Sequence, residues 1–328
     1  MTIAASTKPK LGFLGVGWIG RARLEALARS GAAEVAAVAD PALEELHGLP
    51  CLGSLDELLE RDLDGVVIAT PSALHAEQTI AALDHRVAVF CQKPLGLDAG
   101  EAGRAVDAAR RADRLLVVDL SYRTLNAARA ARRLVEEGSL GRVFAADLCF
   151  DNAYGPDKAW FYEPELAGGG CVIDLGTHLV DLVLWLLDFP RVEAVESRLF
   201  RDGARLARGA RACEDYAVVQ LDLAGGIVVR LQCSWRLHAG RDCVIRASVY
   251  GTDGAVAIRN VDGSFYDFVG ELHRGTATEV LSRPPEDWGG RALVEWSRRL
   301  AAGDGFDPAA EQYVASAEVI DRIYGRAP

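Results

Sequence analysis

The amino-acid sequence predicts an α/β chain: a doubly wound parallel sheet comes first, followed by an α+β domain with a large open, mostly antiparallel sheet. Three observations carry this. Continuous apolar runs alternate with helical patterns through the first third of the chain, as expected of strands buried on both faces. After Tyr122 strand-like runs follow one another in quick succession, separated by turn signals. The 328 residues suffice for two domains, each with its own core. The expected division is 1–121 and 122–328.

The first apolar run, Leu11 to Val16, passes directly into Gly15-Val16-Gly17-Trp18-Ile19-Gly20. A helical stretch follows, then a second apolar run, Val35 to Ala39, ending at Asp40. Each part has a physical use in gripping a dinucleotide. Gly15 permits the tight turn, Gly17 lets the backbone approach a pyrophosphate, and Gly20 lets the helix pack close to the sheet. The helix start, with Trp18 and Ile19, presents unpaired N–H groups to the anion. Asp40 falls 20 residues beyond Gly20, where a carboxylate can accept from the adenosine ribose hydroxyls.

Further buried strands are expected to end near Thr70, Lys93 and Ser121. Ser54 with Glu57 and Asp98 with Glu101 are capping boxes that start two of the intervening helices. In the second half a helix over Leu125–Glu137 closes at Gly138. Next come a strand over Val143–Phe150, an aromatic loop and a helix over Cys171–Leu187. Strands are predicted over Val192–Phe200, Tyr216–Leu223, Ile227–Trp235 and Val244–Tyr250, with Gly225-Gly226 and Thr252-Asp253-Gly254 as turns. Helices over Arg291–Ala302 and Pro308–Tyr324 end the chain.

The composition is 50% hydrophobic and 25% charged, with a net charge of −11. That balance disfavours nucleic acid and anionic membrane as partners. No signal core is expected in Met1–Lys10, and no apolar segment is expected to cross a bilayer. The seven cysteines show no C-x-x-C pair and read as thiols in a reducing, cytoplasmic compartment.

Two places carry candidate chemistry. Lys93, in Gln92-Lys93-Pro94, stands at the carboxyl end of a strand, where open α/β sheets bind their ligands. Asp174 and His178, four residues apart on a predicted helix after Gly168-Gly169-Gly170, share one helical face. A histidine beside a carboxylate can take a proton near neutral pH while held in one orientation. A helix-surface ion pair is the plainer alternative. Asp181 is either a further partner or a helix charge. No completing ligand accompanies these residues, so no metal is expected. The loop Asn152–Tyr162, with Asn152 and Trp160, could wall a substrate pocket or simply pack down.

Taken together, the glycine fingerprint, Thr70-Pro71-Ser72-Ala73-Leu74-His75, Gln92-Lys93-Pro94, Tyr122-Arg123 and Asp174-x-x-x-His178 resemble the glucose–fructose oxidoreductase, inositol dehydrogenase and rhizopine catabolism (Gfo/Idh/MocA) family over nearly the whole chain. The resemblance implies an N-terminal Rossmann domain and a substrate pocket above a nicotinamide. It implies Lys93, Asp174 and His178 as catalytic residues, and Thr70, Pro71, His75 and Gln92 along the cofactor cleft. Tyr122, Arg123, Asn152 and Trp160 are candidate substrate contacts. It also implies a homodimer or homotetramer formed through the open sheet. One departure stands out: the family usually has Glu-Lys-Pro, and Gln92 lacks the charge that would pair with Lys93.

The expected activity is hydride transfer between NAD and a secondary alcohol or ketone of a sugar, amino sugar, aminoglycoside or cyclitol. Asp40 favours NAD because its carboxylate would repel a 2′-phosphate, and no basic residue follows it closely. A redox-neutral, NAD-dependent glycosidase and a non-catalytic NAD-binding sensor are the alternatives.

Overall fold

Short Val-, Ile- and Ala-rich strands joined through helical crossovers can pair in parallel, and the strands of the first unit do so in all but one pair. A computed structural model describes residues 8–46 and 48–326. Most of Met1–Lys10, where no signal core is expected, lies outside the described residues. Two compact units are present, one of residues 1–121 with 287–314, the other of 122–286 with 315–328.

The first unit runs β1 (Lys10–Leu14), α1 (Trp18–Ser30), β2 (Glu34–Ala39), β3 (Glu45–Leu46), β4 (Leu49–Leu52), α2 (Leu55–Leu59), β5 (Gly65–Ile68), α3 (His75–Asp84), β6 (Ala88–Cys91), α4 (Ala99–Ala112) and β7 (Leu116–Val118). The sheet order is β3-β4-β2-β1-β5-β6-β7, parallel except for the β3–β4 pair. Every residue of β5 and β6 is buried, which is why these strands read as unbroken apolar runs. Both expected capping boxes form. Ser54 Oγ accepts from Glu57 N at 3.2 Å, and Asp98 Oδ1 from Glu101 N at 2.8 Å.

The second unit begins with α5 (Asn126–Glu136), β8 (Val143–Asn152), α6 (Pro164–Ala167) and α7 (Thr177–Leu186). Its strands continue as β9 (Val192–Arg201), β10 (Ala204–Arg205), β11 (Tyr216–Leu223), β12 (Ile227–Ser234), β13 (Cys243–Gly251), β14 (Ala255–Asn260), β15 (Phe268–Arg274) and β16 (Ala277–Ser282). They form one sheet in the order β10-β9-β11-β12-β8-β13-β14-β15-β16, antiparallel except for β12 with β8. Alternation along β11 puts Ala217, Val219, Leu221 and Leu223 on the buried face.

Two sequence expectations need correction. Residues 287–314, expected in the second domain, pack with the first. In α8 (Arg291–Ala301), Leu293 and Trp296 enter the first core, and the Trp296 ring lies 5.7 Å from that of Phe90. Gly65 on β5 leaves the space, since a Cβ there would stand 2.6 Å from the Trp296 ring. Secondly, Pro164–Leu186 does reach membrane-spanning length and hydropathy, but 83% of its apolar window is buried within the protein. It is a core helix by burial. The last helix, α9, spans Glu311–Tyr324.

Candidate active site

In the first unit the glycine turn has the geometry a bound pyrophosphate needs. Gly15 has φ +83°, a left-handed conformation, and a Cβ there would stand 2.6 Å from the Ala69 carbonyl oxygen. A Cβ at Gly20 would run into the Gly15 carbonyl oxygen, so α1 packs closely on the turn that precedes it. Gly17 differs: it is exposed, and a Cβ there would meet nothing within 4 Å. Its hydrogen side chain is therefore not required by the protein's own packing.

The start of α1 has no side-chain cap and no acidic residue in its first turn. By contrast, α2 and α4 are both capped by their own side chains. The α1 N–H groups and the positive end of its dipole are thus left for an anion. Ile19 is half-buried at this start, and Trp18 is 74% exposed.

Asp40 ends β2 and turns back onto the glycine loop. Its Oδ2 accepts from Val16 N at 3.0 Å and its Oδ1 from Ala42 N at 2.9 Å. The carboxylate so fixed retains lone pairs for ribose hydroxyls.

Thr70 and Pro71 are half-buried after β5, and Thr70 Oγ1 donates to Gln78 Oε1 at 2.6 Å. His75 is not a cleft-lining side chain. It is 1% exposed, with Nδ1 2.6 Å from the Pro94 carbonyl oxygen and Nε2 2.8 Å from that of Thr70. It ties the turn after β5 to the turn after β6 from beneath. Burial lowers its pKa below 6.5, opposed by the two carbonyls and assisted by the charge of Lys93. Gln92 is buried, and its amide donates to Asp119 Oδ2 at 2.5 Å. Lys93 follows it, half-buried at the carboxyl end of β6.

In the second unit, the helix carrying Asp174 and His178 opens with a π turn, Val172–Gly176, before α7 begins. This turn departs from the regular α geometry expected from the spacing of Asp174 and His178. Wider turns of this kind recur at functional sites. Both side chains are half-buried. Asp174 Oδ2 accepts from the Trp235 indole N–H at 3.1 Å. The His178 ring stands 5.0 Å from the Tyr122 ring and 6.4 Å from that of Phe150. Tyr122 packs in turn on Phe268 at 5.7 Å. The imidazole is therefore set in an aromatic frame, and the phenol of Tyr122 is pushed far above its ordinary pKa by burial.

The remaining candidates separate. Arg123 is engaged by buried Asp181, whose oxygens accept from it at 2.8 Å and 2.5 Å, so Asp181 is an ion-pair partner. Trp160 stacks on Phe161 at 3.8 Å, and Phe161 and Tyr162 both pack edge-on against Trp235. The aromatic loop thus holds the indole that holds Asp174. Asn152, at the end of β8, has a buried Oδ1 that accepts no hydrogen bond.

Sequence reasoning missed three supporting residues. Trp235 is one. Asp119 is another: 1% exposed, it accepts from Arg23 Nε at 2.6 Å as well as from Gln92. The third, fully buried Glu214, accepts from Gly170 N at 3.0 Å, Val172 N at 2.7 Å and Tyr324 Oη at 2.9 Å, anchoring the start of the His178 helix. An acidic residue just before the β11 run was the only sequence signal for Glu214. Among the described residues, no group of three or more His, Cys, Asp or Glu side chains could hold a metal ion.

Residues 10–120 match the oxidoreductase family with an NAD-binding Rossmann fold, and residues 128–257 match the GFO/IDH/MocA C-terminal domain. The chain belongs to the GFO/IDH/MocA oxidoreductase family. A similar protein from Amycolatopsis mediterranei, named "Putative UDP-kanosamine synthase oxidoreductase subunit", is 33% identical over 75% of this chain and 74% of its own. An inositol 2-dehydrogenase from Acidothermus cellulolyticus is 28% identical over 94% of this chain and 89% of its own. The crystal structure of GenD2 from gentamicin A biosynthesis, in complex with NAD, superposes with a TM-score of 0.80 at 24% identity, covering 97% of this chain and 93% of that one. The open Gly17, the uncapped α1 and the fixed Asp40 carboxylate fit the NAD that this GFO/IDH/MocA membership assigns to the first unit.

Proposed function

We propose that this protein is an NAD-dependent dehydrogenase that oxidises a secondary alcohol of a sugar or amino sugar to a ketone, or reduces the ketone in the reverse direction. NAD, when bound, supplies the hydride acceptor. The chain's own part is to bind and orient the nucleotide and to move the proton. Gly15, Gly17, Trp18, Ile19 and Gly20 cradle the pyrophosphate, Asp40 takes the adenosine ribose, and Thr70, Pro71 and Gln92 belong to the same cleft.

His178 takes the hydroxyl proton at its imidazole, and Asp174 stabilises the charged ring. Lys93 hydrogen-bonds the substrate oxygen and favours alkoxide character as the C–H bond breaks. Tyr122 frames the imidazole. The carrying observation is the imidazole and the carboxylate at the head of one helix, the carboxylate held by the Trp235 indole and the imidazole framed by aromatic rings.

Asp40 also supports NAD over NADP, since a 2′-phosphate would meet its carboxylate. The amino-sugar class rests on the names of two relatives, one concerned with UDP-kanosamine and one with gentamicin A, and on the acidic balance of this chain. The outer face of the second sheet, where Val218 and Val228 are 39% and 38% exposed, is proposed to join copies of the chain. Light scattering of the purified protein tests that.

The test of the activity is a panel of amino sugars, nucleotide-linked sugars, aminoglycosides and cyclitols incubated with NAD, followed at the absorbance of the reduced nicotinamide. Reduction by an amino sugar or its glycoside supports the reading. No reduction by any of them, with NAD bound, overturns it. His178→Ala or Lys93→Ala should lower turnover about 100-fold.

A further inference from the structure

Asp119, just beyond β7, lies beside the residue that precedes Lys93. The backbone sets this up: Asp119 N donates to the Cys91 carbonyl oxygen at 2.8 Å, so the ends of β6 and β7 run side by side. All three side chains of the cluster are buried, with Asp119 at 1% and Arg23 and Gln92 at 8% exposure. One carboxylate oxygen, Oδ2, accepts from both Arg23 Nε and the Gln92 amide. The other, Oδ1, is buried and accepts nothing. Asp119 therefore depends on two donors and has none in reserve.

This constrains position 92. A carboxylate there would face a second carboxylate at hydrogen-bond distance, in a buried cluster where Asp119 already takes the bond of Arg23. Two such groups in a buried site cannot both ionise. An amide of the same length donates instead, and a bond from an amide to a charged oxygen is among the stronger ones.

We propose that Asp119, anchored by Arg23, is a positioning residue for Lys93. It holds Gln92 by a charge-assisted bond and so requires an uncharged donor at position 92, and the turn carrying Lys93 is fixed through that bond. The role of Lys93 rests on the proposed reaction, but the pairing of 92 with 119 does not. The charged or titratable groups around the carboxylate are Arg23 from α1, Cys91 from β6 and, one residue further, Lys93.

The test is a charge exchange in the full chain. Gln92→Glu, Asp119→Asn and the double variant are compared by urea unfolding and by calorimetric titration with NAD at several pH values. Gln92→Glu should weaken NAD binding about tenfold or more. Its unfolding midpoint should fall further as pH rises, because the two carboxylates can share a proton only at low pH. The double variant keeps the charge count and removes the facing carboxylates: the amide nitrogen now at position 119 donates to the carboxylate now at position 92, which is left to offset the Arg23 charge. It should return NAD affinity to within about threefold of wild type.

Two single effects that simply add in the unfolding midpoint would overturn the pairing. Coupling in stability without coupling in NAD affinity, or in the pH profile of turnover that Lys93 shapes, would overturn the positioning role. A wild-type protein that binds no NAD would overturn the proposed reaction, and the unfolding comparison would still decide the pairing.

Discussion

The indole N–H of Trp235 donates to Asp174 Oδ2 at 3.1 Å, and Trp235 is itself held beneath Phe161 and Tyr162. The aromatic loop, by packing on the indole, thus helps fix the carboxylate that is proposed to steady His178. Trp235→Phe keeps most of the packing and removes the donor. Losing a hydrogen bond to a charged group should cost about 2 kcal/mol in thermal or urea unfolding. Turnover should fall about tenfold while NAD affinity stays unchanged, because the dinucleotide residues belong to the other unit. A fall in NAD affinity equal to the fall in turnover would contradict this role.

Gly17 and Gly20 separate folding from nucleotide binding. Gly17→Ala adds a methyl group that touches nothing in the protein, so the melting temperature should stay within about 1 °C of wild type. In the proposed binding mode the same methyl group would meet the pyrophosphate, and NAD affinity should drop about tenfold or more. Gly20→Ala drives a Cβ into the Gly15 carbonyl and should instead destabilise the fold by about 2 kcal/mol. Scanning calorimetry with and without NAD distinguishes the two patterns.

The first unit was the more legible half of the chain, because its signals are local. Gly15 to Asp40 is a single strand–turn–helix–strand whose apolar runs and glycines report the contacts they make. Asp98 with Glu101 reports its own cap. The second unit's strands β14 to β16 went unread, since runs such as Ala255–Asn260 and Ala277–Ser282 are short and partly polar, and the sheet rather than their composition makes them strands. The residues that brace the site were hidden for the same reason. Asp119 is 27 positions from Gln92 and 96 from Arg23, and Glu214 is 42 from Val172. Nothing local marks such pairs. The 287–314 segment was misassigned because amphipathic spacing shows that a helix buries a face but not which core receives it. Trp296 meets Phe90 from the far end of the chain.

His75 sets a pH dependence. Its pKa is lowered from 6.5 in the folded protein by burial, so the unfolded chain takes up the proton first as pH falls. The group's contribution to stability is complete above about pH 6.5 and is lost as pH drops below that value toward the lowered one. His75→Gln, which does not titrate, should be less stable than wild type at pH 7.5 because its flexible amide does not fill the buried site of the rigid imidazole ring. The difference should shrink as pH falls through 6. Urea midpoints measured from about pH 5 to 7.5 check this. A gap that stays constant across that range would show that His75 does not change protonation on unfolding.

Glu214 sets the opposite slope at the start of the His178 helix. Burial raises its pKa above 4.5, against the bonds from Val172, Gly170 and Tyr324 that favour the carboxylate. The folded state therefore holds the acid proton more tightly than the unfolded one, and this group favours folding most below pH 4.5. That advantage declines as pH rises through the raised value and is gone above it. Glu214→Gln offers a single acceptor oxygen, so one of the Gly170 and Val172 N–H groups must face the new amide. An unpaired buried donor should cost about 2 kcal/mol near neutral pH. Because the glutamine does not titrate, the wild-type advantage should widen as the solution is acidified, and urea unfolding of both proteins between about pH 4 and 7 measures it. Tyr324→Phe removes only the hydroxyl donor and should cost less, about 1 kcal/mol. If Glu214→Gln lowers turnover and Tyr324→Phe leaves it unchanged, the two backbone bonds, rather than the phenol, are what hold the helix start in register for His178.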